Sequence, residues 1–212
     1  MKINEIFYSI QGESSFAGRP CAFIRLTGCN LRCSYCDTEY AFYEGKEMSI
    51  SEILREIEAF PTELVLVTGG EPMLQKSVHE LFRNLLDERH TVLLETGGQI
   101  SLEDVDPRVH KIMDFKCPSS GMEDHNNFNN VRYLTSKDEL KFVIGSRQDF
   151  DWACEVIQKY NLASRVGSIY FSPVFNQLSY PDLAQWILNC NLPVSIQIQL
   201  QKIIWPDVSR GV

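Results

Sequence analysis

The sequence lacks the basic excess that contacts with a phosphate backbone require: 20 Lys and Arg stand against 28 Asp and Glu, a formal charge of −8. It has no run approaching the roughly 20 apolar residues of a membrane helix. Its opening, Met1-Lys2-Ile3-Asn4-Glu5, places an acid early with no apolar stretch behind it, so no secretory signal is expected. Seven cysteines cannot all pair, and three of them crowd into positions 29 to 36, which argues against a disulfide framework. Internal repeats and low-complexity tracts are also absent. These absences exclude a nucleic-acid binder and a membrane protein. They lead to the expectation of a cytoplasmic chain with reduced thiols, folded as one domain over residues 1–212.

What is present is a regular alternation of two periods. Runs rich in Val, Ile and Phe at 22–28, 64–70, 91–97, 111–117, 139–145, 168–174 and 194–200 predict strands. Helical spacing joins Ile50, Ile53, Leu54 and Ile57, then Val78, Leu81, Phe82, Leu85 and Leu86. It returns at Ala153, Val156, Ile157 and Tyr160, and at Leu183, Trp186, Ile187 and Cys190. Ser49 with Glu52 forms a capping box, and Pro181 suits a first helical turn. Strands alternating with helices imply parallel strands and right-handed crossovers, hence an α/β fold. We read an incomplete βα barrel, because some connections are too short for a helix. The polar stretch 118–138 is a long loop of the functional or mobile kind.

Thr27-Gly28-Cys29-Asn30-Leu31-Arg32-Cys33-Ser34-Tyr35-Cys36-Asp37-Thr38 follows the first of these strands. Three thiolates on one short loop can wrap a single metal centre without closure from distant chain. Structural zinc is the alternative, but it needs a fourth ligand from Cys21, Cys117 or a His, and no second Cys-x-x-Cys pair supplies one. The spacing C-x3-C-x2-C, with Tyr35 before the last cysteine, resembles the loop of the radical S-adenosylmethionine (SAM) enzymes. Thr68-Gly69-Gly70-Glu71-Pro72 resembles the GGEP turn of that superfamily, where glycine lets backbone approach a ligand and a carboxylate suits an ammonium. Four further segments point to the deazapurine-forming branch: Phe7 to Glu13 with Gly18-Arg19-Pro20, Phe23 to Leu26, Cys36-Asp37-Thr38, and Gln197 to Lys202. Together they span nearly the whole chain.

The resemblance implies a partial βα barrel of the radical SAM type, and a four-iron, four-sulfur (4Fe-4S) cluster on Cys29, Cys33 and Cys36. The iron left open chelates S-adenosylmethionine, which is used as a cofactor rather than consumed. It implies ring contraction of 6-carboxy-5,6,7,8-tetrahydropterin to a deazapurine with loss of ammonia, and no catalytic side chain beyond cluster and cofactor. It places the pterin on Ile10, Gln11, Gly12, Arg25 and Thr68, the cofactor on Tyr35, Asp37, Gly70, Lys116 and Ser119, and Mg2+ on Thr38. Arg25 also draws attention by itself, as a planar charged fork between Ile24 and Leu26. A homodimer and an electron donor such as flavodoxin are expected. One departure is Gln201, which stands where related sequences carry His and cannot titrate near neutral pH. His79, His90, His110 and His125 are expected to be solvated, and Cys21, Cys117, Cys154 and Cys190 to be apolar thiols. Two rival functions share the cysteine loop: an activase that places a glycyl radical on a protein, and a zinc-binding scaffold.

Overall fold

The computed structural model describes residues 1–212. Its strands are β1 (Lys2–Ile10), β2 (Pro20–Leu26), β3 (Lys46–Glu47), β4 (Leu64–Gly69), β5 (Thr91–Thr96), β6 (His110–Phe115), β7 (Glu139–Ile144), β8 (Ser168–Pro173) and β9 (Ser195–Ile196). They form one sheet in the order β3-β1-β2-β4-β5-β6-β7-β8-β9. β1 runs antiparallel to β2 and β3, and every neighbour pair from β2 to β9 is parallel. The sheet curls but does not close, the partial barrel expected from the sequence.

The helices are α1 (Ile50–Glu58), α2 (Val78–Asp87), α3 (Arg147–Lys159), α4 (Tyr180–Asn189) and α5 (Leu200–Ile204). None is long and apolar enough to cross a membrane. Ser49 and Glu52 cap α1 reciprocally, and Ser146 and Asp149 do the same for α3, so two orphan donors are satisfied at each start. Pro181 occupies the first turn of α4, where its missing N–H costs nothing. No α-helix joins β5 to β6 or β6 to β7, so these two crossovers are made by loop and 3-10 turns.

Apolar burial is split between the two faces of the sheet. The helices cover the convex face in a core of 36 buried residues that includes Ile24, Val67, Leu94, Phe142 and Phe171. A second core of six, Cys21, Phe23, Leu64, Leu66, Leu93 and Ile112, plugs the concave face beneath Phe7 and Phe16. The period of two then fixes what lies above the plug. Arg25 follows Phe23, Thr68 follows Leu66, Glu95 follows Leu93 and Asp114 follows Ile112, so the strands turn from apolar to charged toward their C-terminal ends. Register places Arg25 beside Thr68 and Asp114 beside Lys141.

The structure departs from the sequence expectation in four places. β1 and β3 were not anticipated. The run 194–200 pairs only at Ser195–Ile196 before the chain leaves the sheet. The stretch 118–138 is tightly built, from three 3-10 turns pinned by buried Asn130. The Asn130 side chain accepts from the Leu102 amide at 2.9 Å and donates to the Gly98 and Ile100 carbonyls, both at 2.7 Å. His110 is not solvated: it lies in β6 with Nε2 3.0 Å from Glu139 Oε1.

Candidate active site

A cavity of about 750 Å³ opens at the C-terminal ends of the parallel strands. Its wall includes all three loop cysteines, the Gly69-Gly70-Glu71 turn, the charged tips of β2, β5, β6 and β7, and the tail from Gln199 to Val212.

Backbone holds the cysteine loop. Gly28 N donates to Ala41 O at 2.8 Å, Glu71 N donates to Gly28 O at 2.7 Å, and a turn closes from Cys36 N to Cys33 O at 3.2 Å. The ordered 118–138 segment supports the loop from outside, with Ser34 N on Ser120 O at 3.1 Å and Ser34 Oγ on Ser119 O at 2.6 Å. Arg32 returns to the Cys29 and Leu31 carbonyls at 2.8 and 2.6 Å and stacks on Phe42. Cys29, Cys33 and Cys36 are half-buried and unpaired, and burial pushes each thiol above its usual range. The neighbouring turn is packed just as closely. A Cβ at Gly70 would overlap the Gly28 carbonyl oxygen and stand 2.9 Å from Cys29 Cβ, so only glycine fits there.

The Glu71 carboxylate is anchored by its own neighbours in the cavity wall. Met73 N and Thr96 Oγ1 donate to its Oε1 at 3.0 and 2.8 Å, and Gly97 N donates to Oε2 at 2.9 Å. The residue is buried, which raises its pKa, and its three hydrogen bonds tie the turn to Thr96 and Gly97 at the end of β5.

Charged side chains make the opposite wall. Arg25 Nε donates to Glu5 Oε1 at 2.7 Å, and Tyr40 donates to the same oxygen at 3.0 Å. The terminal guanidinium nitrogens make no hydrogen bond within the chain. Thr68 Oγ1 donates to Glu95 Oε2 at 3.1 Å. Lys141 Nζ pairs with Glu13 Oε2, while Gln199 and Gln201 donate to Glu13 Oε1 at 2.8 and 3.2 Å. Burial works to raise Glu13, but the Lys141 ammonium and the Gln199 amide hold it below the usual carboxylate range. Burial raises Glu95, which Lys141 only partly offsets. Nearer the thiols, Asp37 beside Cys36 pairs with Lys202 at 2.9 Å and accepts from Thr38 Oγ1 at 2.9 Å, and Lys116, whose charge reaches Cys29 and Cys33, pairs with Asp114 at 2.9 Å.

Every residue given a cluster, cofactor, magnesium or pterin role from the sequence lines this cavity except Ser119, whose hydroxyl and amide both donate to Asp149 at the start of α3. Glu13, Glu95, Asp114, Lys141 and Lys202 line it as well and had no assigned role. For Glu95 and Lys141 the signal was the one that flagged Arg25, a charge inside an apolar strand. Four buried polar atoms in the wall have no partner: Gln11 Nε2, Gln99 Oε1, Asp114 Oδ1 and Gln201 Oε1. Such atoms are costly to leave unmade, so they mark where a polar ligand belongs.

The residues fit the group that the cysteine spacing implies. No three Cys, His, Asp or Glu side chains converge on a point that could hold a single ion. A 4Fe-4S cluster asks for something else, one thiolate per iron around a larger body, and the three loop cysteines offer that at one end of the cavity. Gly70, packed without a side chain against the Gly28 carbonyl and Cys29, brings its own backbone to the cavity wall beside them.

Comparison with known proteins agrees. A family model described as the radical SAM superfamily matches residues 23–107. A 7-carboxy-7-deazaguanine synthase from Chlorobaculum tepidum is 49% identical over 215 residues, covering 100% of this chain and 97% of that protein. One from Koribacter versatilis is 41% identical, covering 100% of both. Among solved structures, QueE from Escherichia coli aligns with a TM-score of 0.75 at 22% identity, over 92% of this chain and 93% of its own.

Proposed function

The chain belongs to the 7-carboxy-7-deazaguanine synthases of the radical SAM superfamily, and on that premise we propose how its own residues serve the ring contraction. The enzyme is a lyase that converts 6-carboxy-5,6,7,8-tetrahydropterin to 7-carboxy-7-deazaguanine with loss of ammonia, in deazapurine biosynthesis. When bound, the cluster and S-adenosylmethionine supply hydrogen-atom abstraction from the pterin and return of hydrogen to the product.

Cys29, Cys33 and Cys36 hold the cluster. Tyr35, Asp37, Gly70 and Lys116 surround the cofactor. Ser119 serves it through the loop, since its carbonyl holds Ser34 while its hydroxyl is engaged by Asp149. At the other end, the free nitrogens of Arg25 take the pterin carboxylate, with Glu5 fixing the fork from behind. The unpartnered Gln11 amide, with the backbone of Ile10 and Gly12 and the Thr68 hydroxyl, reads the polar edge of the ring. Thr38, a hard oxygen beside Asp37, is the magnesium ligand. Resemblance to the family supports a homodimer, a flavodoxin-type electron donor, a single domain over residues 1–212 and a cytoplasmic site of action.

The observation that carries this reading is that one cavity is lined both by the three thiols with Gly70 and by Gln11, Arg25 and Thr68. The test is anaerobic reconstitution, reduction, and incubation with the carboxy-tetrahydropterin, S-adenosylmethionine and Mg2+. The expected result is a brown protein and a deazaguanine product detected by mass. A colourless zinc protein, or a brown one that leaves the pterin unchanged, would reject it.

A further inference from the structure

The loop from Gln11 to Arg19 links adjacent strands, yet it does not turn back directly. It crosses the hollow of the sheet to β7, which lies five strands beyond β1 with β2, β4, β5 and β6 between them. Two rungs meet it there. Glu13 pairs with Lys141, and two residues on, Ser15 pairs with Glu139, the next residue down on the same face of β7. These contacts span 128 and 124 positions of sequence.

The upper rung lines the cavity and the lower does not. Glu139 is 1% exposed and sits where the apolar plug separates it from the ligand space. It receives Ser15 N at 3.1 and 3.3 Å, receives the Ser15 hydroxyl, and lies 3.0 Å from His110 Nε2. The Phe16 ring meets the His110 ring edge-on at 5.0 Å. A carboxylate buried this deeply persists only when its lone pairs are taken, and most of its donors come from the loop. Ser14, between the rungs, is buried and left-handed at φ 67°, a backbone state that a non-glycine residue keeps only where its surroundings impose it.

We propose that Glu139, with Ser15 and His110, is a positioning residue for the pterin: it fixes the loop from below, and the loop then presents Gln11 and Gly12 to the substrate. The inference rests on the reading of residues 10–12 as the pterin clamp. Loosening the lower rung shifts the Gln11 amide, and it also shifts Gly12 O, which accepts Leu200 N at 3.1 Å from the tail. The cysteine loop has its own supports and stays in place.

The experiment uses the reconstituted holoenzyme with Ser15→Ala, Glu139→Gln, Glu139→Leu and the double variant Ser15→Ala/Glu139→Gln. KM for pterin, KM for S-adenosylmethionine, iron content and amide exchange across 11–16 are measured for each. Glu139→Gln should raise the pterin KM about ten-fold and Ser15→Ala several-fold, with the double variant no worse than the larger single, since both break one contact. KM for S-adenosylmethionine should stay within about two-fold, with iron unchanged and loop exchange accelerated. Pterin KM within two-fold of wild type in Glu139→Gln, or equal losses for both ligands together with lost iron, overturns the proposal. If Glu139→Leu fails to fold, the two milder variants decide. Should the wild type show no saturable use of the pterin, the substrate reading fails by itself, and exchange in Glu139→Gln still decides whether Glu139 sets the loop.

Discussion

Under Cys29, Cys33 and Cys36 the cavity wall is backbone, closed by hydrogen bonds to main-chain carbonyls and by glycines so tightly packed that a methyl group at Gly70 would strike the Gly28 carbonyl. Across from it, Arg25, Glu13, Glu95 and Lys141 form a charged wall in which Glu5 holds Arg25, Thr68 donates to Glu95 and Lys141 pairs with Glu13 from 128 residues away. The difference follows from what each side must hold. A cluster with a chelated cofactor needs room and close backbone approach. A polar, carboxylated ring needs charges set in advance. The first side is therefore intolerant of added atoms, and the second of lost partners.

The largest effect should come from the thiol side. Cys29→Ala, Cys33→Ala and Cys36→Ala should each abolish cluster binding and turnover, read as iron content and visible absorbance after reconstitution. Cys154→Ala and Cys190→Ala, which alter half-buried thiols packed against the helix-side core, should keep both. A loop variant with full iron and activity would remove the basis of the comparison.

Next is Lys141→Met, which leaves buried Glu13 uncompensated at a cost of about 3 to 5 kcal/mol near neutral pH. The sign can be followed in acid. In the wild type Glu13 lies below its ordinary 4.5 and Asp37 below its ordinary 3.8. The stability they contribute is present above those values and is lost as pH falls through the lower folded ones. Without Lys141, burial governs Glu13 and raises it, so the variant should gain stability on acidification from neutral toward 4.5. Thermal melts across this range, with parallel curves for the two proteins, would show that the pair does not matter.

How much of each side could be read in the sequence follows the same division. The cysteine loop and the Gly69-Gly70-Glu71 turn are contiguous, so spacing alone exposes them. The pairing of Glu13 with Lys141 joins a polar loop to a strand far along the chain, and no local pattern records it. What ELKFVIG and TVLLETG do record is a charge inside an apolar run, the oddity that marked Arg25. The strand VSIQIQL alternates cleanly yet pairs at two residues only, because Gln199 turns to Glu13 and the chain then coils into α5. β1 escaped notice because it is half-buried along nearly its whole length and lacks a clear apolar side.

Gly70→Ala tests the packing of the thiol side by addition. Displacing the Gly28 carbonyl should cost about 1 to 3 kcal/mol and weaken S-adenosylmethionine more than the pterin. Calorimetric melts with separate titration of the two ligands check this, and equal weakening of both would blur the division. The smallest effect is expected from Thr38→Ala, which should reduce the stimulation of turnover by Mg2+ while leaving S-adenosylmethionine affinity within about two-fold. An unchanged magnesium profile would take Thr38 out of the site.

The measurement that tests the two-sided account most directly uses Arg25→Ala, Arg25→Lys and wild type reconstituted to equal iron content. Deazaguanine product and free 5'-deoxyadenosine are followed together against pterin concentration. Losing the partner of the substrate carboxylate costs about 2 to 5 kcal/mol, so Arg25→Ala should need far more pterin and nearly lose product. It should still cleave the cofactor slowly and abortively under strong reductant, because the thiol side is untouched. Arg25→Lys should recover only part of the affinity, having charge without the planar fork. A wild-type apparent affinity for the pterin in Arg25→Ala, or loss of cofactor cleavage together with product, would contradict the account.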